Sequence, residues 1–72
     1  MKVRFVKYEG EVVALFPEVA HDLNGNIMCY VHIGQHSSAS VKLLRKKKAK
    51  ESEYKPLFEE LEYIGYKNLE VI

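Results

Sequence analysis

The spacing of apolar positions changes period along the chain. Over residues 2–8 charged and apolar side chains alternate, with Val3 and Phe5 on one side, which predicts a half-buried strand. Residues 12–16 are apolar and β-rich without a break, the pattern of a strand pairing back on the first. Glu9-Gly10-Glu11 links them, and Gly10 supplies the positive φ of a tight turn. Pro17 has no N–H to give a ladder and is expected to end the second strand. Residues 18–26 read as a loop, closed by the turn signal Asn24-Gly25-Asn26.

Residues 27–33 give the clearest strand. Ile27, Cys29, Val31 and Ile33 share one face, and Met28, Tyr30 and His32 share the other. The smooth aliphatic set is expected to face the core and the long helix. Gly34 then breaks the strand. Residues 38–46 admit two readings. One is a short helix capped by Ser37 or Ser38, with Val41 and Leu44 on one face. The other is a short strand through Val41 and Leu43.

From residue 52 the period becomes helical. Tyr54, Leu57, Phe58, Leu61 and Ile64 fall at i, i+3, i+4, i+7 and i+10, which predicts a helix over about 52–64. Ser52 is the expected N-cap, Pro56 falls in the first turn, and Gly65 forms a left-handed cap over which Tyr66 folds back. Residues 68–72 form a last short strand, with Leu69 and Val71 toward one side.

The order is β-β-β-(short element)-α-β. It predicts an α+β fold over a single domain, 1–72, with a small three- to four-stranded, mainly antiparallel sheet and one main C-terminal helix on one face. One helix covers one face of a sheet. Val13, Leu15, Met28 and Tyr30 are therefore expected on the uncovered face, as an apolar surface for a protein partner or a homodimer.

Length sharpens that expectation. A chain of 72 residues buries only about 60% of its unfolded surface, and such domains often lean on a disulfide, a metal or a partner. Cys29 is the sole cysteine, so no intramolecular disulfide is available, which points to a reducing, cytoplasmic setting. The first residues carry no signal-peptide core, and no apolar run is long enough to span a membrane.

The net charge of +1 predicts no partner, but its distribution is uneven. Lys42, Arg45, Lys46, Lys47, Lys48 and Lys50 fall in one acid-free stretch, and residues 51–62 carry five glutamates and one lysine. The basic stretch is a candidate for nucleic-acid phosphates. No recognition-helix, RNA-recognition or zinc-finger signature accompanies it.

The remaining candidate chemistry lies in the segment "YVHIGQHSSAS". His32, Gln35, His36, Ser37 and Ser38 form a run of compact polar groups after a strand, a suitable binding loop for a phosphate or a peptide backbone. A metal or hydrolytic site around His32 and His36 is the alternative. His21 and Asp22 add ligand types, but the Cys/His spacing is sparser than zinc sites use, and no metal or cofactor is implied. Asp22, Asn24 and Asn26 have calcium-loop spacing, yet Ile27 and Ile33 stand where such a loop needs glycine and glutamate. Cys29 and His32 point to opposite faces of one strand, and a serine–histidine pair lacks an oriented acid. No catalytic residue is assigned.

The segments "VVALFPE", "YVHIGQHSSAS" and "YKPLFEELEYIGYKNLEVI" resemble, in that order, a set of small hypothetical proteins from gut bacteria, their phages and mobile elements. The resemblance implies a compact intracellular domain and brings no functional residue with it. The lysine run departs from that set. The sequence therefore predicts a non-enzymatic binding domain acting by protein association, with nucleic-acid contact through 42–50 as the alternative.

Overall fold

The structure, a computed structural model, describes residues 1–21, 23, 25–31 and 35–72, with residues 35–37 described by backbone alone. Its elements are β1 (Lys2–Tyr8), β2 (Glu11–Ala20), β3 (Ile27–Val31), β4 (Gln35–Ala39), a 3₁₀ segment (Val41–Arg45), α1 (Glu51–Tyr63) and β5 (Glu70–Val71). The five strands form one sheet in the order β4-β3-β2-β1-β5. The first four make an antiparallel meander, and β5 joins the outer edge of β1 in parallel. The α+β class and the single covering helix are as expected, and the sheet has five strands rather than three or four.

Local chemistry explains these elements. Glu9 and Gly10 both take positive φ, 52° and 80°, as a two-residue hairpin turn matched to strand twist requires. β2 does not stop at Pro17. Its register against β3 jumps from Phe16↔Met28 to Ala20↔Ile27, so Pro17 sits in an irregularity where a missing N–H is tolerated. The 3₁₀ segment is capped by Ser40, whose Oγ accepts the Lys42 N–H at 3.2 Å, rather than by Ser37 or Ser38. Residues 38–46 are thus divided between the end of a strand and a 3₁₀ turn.

Opposed residues on neighbouring antiparallel strands share a face. The pairs Phe5↔Ala14, Ala14↔Tyr30 and Phe16↔Met28 define one face, and Val6↔Val13 and Leu15↔Cys29 define the other. Helix α1 lies on the first. Leu57 and Leu61 pack there with Val3, Phe5, Ala14, Phe16, Tyr30 and Ala49. Stacked rings join the layers, Phe5 on Tyr54 with centroids 4.5 Å apart and Phe16 on Tyr66 at 5.2 Å. The Tyr30 hydroxyl donates to the Glu60 carboxylate, tying β3 to the helix.

This corrects the assignment of faces. Tyr30 and Met28 lie on the helix side, and Ile27 and Cys29 lie on the reverse. Nor is the reverse face open. Leu43 and Leu44 of the 3₁₀ segment pack on Val6, Val13, Leu15, Ile27, Cys29 and Ala39. Val13, Leu15, Met28 and Tyr30 therefore do not form one interface. They divide between the two faces, and Leu15 and Tyr30 are 0% and 1% exposed. The physical reason is a second cover that a count of long helices misses. The aromatic side takes the long helix, and the smaller aliphatics take the short segment.

Between its two covers the chain crosses the sheet edge. Lys7 N–H bonds to Lys47 C=O at 3.0 Å, Ala49 N–H bonds to Phe5 C=O at 2.9 Å, and Lys48 pairs with Val6. The outer edge of β1 is thus shared, β5 beside Lys2 and Val3 and residues 47–49 beside Phe5 to Lys7.

Helix α1 starts one residue earlier than its expected cap. Lys50 is the N-cap, and its N–H bonds to Glu53 Oε1 at 2.8 Å. Pro56 consequently lies past the first turn, where its missing N–H leaves the Ser52 carbonyl without its helical donor. An interior proline costs about 3 kcal/mol relative to alanine, partly offset by about 1 kcal/mol from a stiffer unfolded chain. Pro56→Ala is expected to stabilise the fold by about 1–2 kcal/mol. A urea midpoint that falls would show that the Pro56 ring makes stabilising contacts in the folded chain.

Candidate binding groove

The expected polar loop is a strand. Gln35, His36, Ser37 and Ser38 belong to β4, whose register pairs them with Val31, Tyr30, Cys29 and Met28. His32, like Ile33 and Gly34, lies outside the described residues, as do Asp22 and Asn24. Ser38 and His21 are exposed, and the His21 N–H bonds to the Asn26 carbonyl at 2.9 Å. Among the described residues no three His, Cys, Asp or Glu side chains gather in a way that could hold a metal ion. Cys29 is buried among aliphatics, the environment of a small core residue.

The basic residues are dispersed. Lys42, Arg45, Lys46, Lys47, Lys48 and Lys50 are all exposed. They follow the chain from one side of the sheet, around its edge, to the start of α1. Lys46 Nζ lies 5.8 Å from the Tyr8 ring centroid, a cation–π contact. Lys48 is opposite Val6 and so on the 3₁₀ side, and Lys47 has the parity of Ala49 and so lies on the helix side.

A concave surface occurs elsewhere, between α1 and β5. The groove has a volume of about 380 Å³, within the range of ligand-binding clefts. Tyr54 and Phe58 line it from the helix and Val71 from the strand. Glu51, Lys55, Glu59 and Glu62 supply its polar lining. These helix positions recur at intervals of three and four, so they form one stripe flanking the apolar stripe buried by Leu57 and Leu61. Three carboxylates against one ammonium give the lining a net charge of −2. Val71, 39% exposed, leaves apolar surface beside them.

The backbone next to the groove is also available. Glu70 N–H and Ile72 N–H point inward, to Met1 C=O and Val3 C=O, each at 2.9 Å. Residues of a strand alternate in direction, so the N–H and C=O of Val71 point away from β1. Among the described residues no strand lies beyond β5.

The helix bearing the groove is anchored at its first turn. Lys7 Nζ meets Glu53 Oε2 at 2.7 Å. The Lys7 ammonium first, and then the Lys50 N–H, hold the Glu53 carboxyl below its ordinary value. A lowered folded-state value adds stability above the unfolded value near 4.5, which is lost as pH falls through the lowered one. Glu53→Gln is expected to flatten the acid limb of stability between about pH 5 and pH 3, read from urea midpoints. The effect is small, because the pair is solvent-screened. An unchanged acid limb would assign acid sensitivity to other carboxylates.

Comparison of the chain with protein-family models, curated proteins and solved structures finds no match. No helix among the described residues is long and apolar enough to cross a membrane.

Proposed function

We propose that the chain is a binding domain that acts by protein association, not catalysis, and that its ligand is an extended, basic segment of a protein. The α1/β5 groove carries this reading. It offers an aromatic floor, an acidic lining and an outward-facing strand edge within one site. An extended segment laid along β5 would gain main-chain hydrogen bonds, with alternate side chains entering the groove. Glu51, Glu59 and Glu62 favour lysine or arginine there.

The test is a titration of a fluorescently labelled peptide of alternating lysine and valine, followed by anisotropy. Binding is expected at micromolar peptide and low salt. Glu59→Lys and Val71→Pro should each weaken it by about tenfold, the first by reversing a groove charge and the second by removing an outward N–H. Absence of binding at about 1 mM peptide, the limit of weak association, would remove the reading.

A second reading, nucleic-acid contact through Lys42 to Lys50, is favoured by the exposure of all six basic side chains. It ranks below the first because Lys47 and Lys48 lie on opposite sides of the sheet edge rather than on one surface. A gel shift at about 50 mM salt, where phosphate contacts are strongest, tests it.

A further inference from the structure

We propose that a second copy of this chain occupies the groove, with the segment 47–49 of each copy laid against β5 of the other. This deepens the groove reading and rests on it. The outer edge of β1 is shared between two segments of opposite charge. One half of that edge is β5, beside the acidic groove, and the other half is the basic segment 47–49. Each half has one residue whose peptide groups face outward. For β5 it is Val71. For the other it is Lys48, because Lys47 C=O and Ala49 N–H are engaged with β1.

A twofold axis normal to the sheet, placed at the junction of the two halves, sets each acidic half against the partner's basic half. The contact is then self-complementary and closed, so it yields a dimer and not a fibre. Such an axis keeps both helices on the same side. Lys47, on the helix side, then approaches the partner's acidic lining, and Lys48, on the 3₁₀ side, does not. Charge complementarity thus selects one residue of the basic run. The strand contact is short, so the complex belongs to the weak, salt-sensitive class.

Sedimentation velocity across a concentration series tests this, with circular dichroism confirming that each variant is folded. A reversible dimer is expected at about 50 mM salt, weakened about tenfold or more by about 500 mM. Lys47→Glu and Glu59→Lys should each leave monomers, and Lys48→Glu should change little. An equimolar mixture of Lys47→Glu and Glu59→Lys chains should dimerise again, since one new contact pairs the two reversed charges and the other is native. Val71→Pro should weaken the dimer while leaving the inward bonds of Glu70 and Ile72 in place.

A wild-type chain that stays monomeric at about 1 mM protein and low salt overturns the inference. So does a mixture that stays monomeric, or a dimer indifferent to both Lys47→Glu and Val71→Pro. If the lysine–valine peptide still binds in those cases, the groove reading survives and its occupant is another protein. If the peptide fails as well, both fall.

Discussion

Phe5→Ala is expected to remove most of the stability of the fold at 25 °C. Phe5 is 1% exposed and stands where three parts of the fold meet. Its ring stacks on Tyr54 and meets Phe58 edge-on at 6.2 Å, and its carbonyl holds the crossing segment through Ala49. Truncating a buried phenylalanine costs about 3–5 kcal/mol, and a lost aromatic pair adds about 1 kcal/mol. A domain of this length has a total stability of about 4–10 kcal/mol. The change removes most of that. Urea denaturation followed by near-ultraviolet circular dichroism measures it directly. A loss under about 1 kcal/mol would mean that the helix does not sit on this face.

Leu15→Lys carries the second large effect, because the two views of the sheet disagree about it. On an uncovered face a lysine at this position would change stability by less than about 0.5 kcal/mol. Under the 3₁₀ segment it buries an ammonium among Cys29, Val13 and Leu44 with no partner. That costs about 4 kcal/mol or more, and the chain should not fold. Leu44→Ser supplies a milder companion, since it thins the cover without placing charge beneath it. Its expected cost is about 2 kcal/mol from lost apolar burial. A stable, folded Leu15→Lys chain would restore the open-face arrangement.

The elements were largely readable from pattern, and their faces were not. A helix whose apolar residues recur at three and four can point only one way, so α1 was legible within one residue. β3 gives no such direction. Ile27 and Cys29 on one side and Met28 and Tyr30 on the other are all apolar, because both sides are buried. Alternation sorts residues into two sets without naming the set that meets the helix. The decision lies in tertiary packing, where the aromatic side matches Tyr54 and Phe58. β4 was hidden for a different reason. Gln35 to Ser38 have little strand propensity, and the pairing with β3 overrides it. Pro17 does not end β2, because a strand proline is tolerated at a register break.

The groove was half visible. Glu51, Lys55, Glu59 and Glu62 follow the polar flank of the helix at regular spacing, a signal present in the periodicity. Its other wall is Val71, far along the chain, and its floor uses Tyr54 and Phe58, which also serve the core. A site made from the shoulder of a core stripe leaves no separate mark. His32 and His36 stand out in the sequence because imidazole is chemically versatile. The α1/β5 groove is built instead from residues of ordinary chemistry.

The meander and β5 also differ in how they form. Strands β1 to β4 are joined in sequence by short connections, so each pairing closes a short loop and can zip up early. β5 reaches β1 only after nearly the whole chain has been gathered, which carries the largest closure entropy, and just two of its residues pair there. It is therefore the last element to dock and the first to detach in local opening. One wall of the α1/β5 groove is thus its most readily released part, so a strand laid along it would slow amide exchange at Glu70 and Ile72 first.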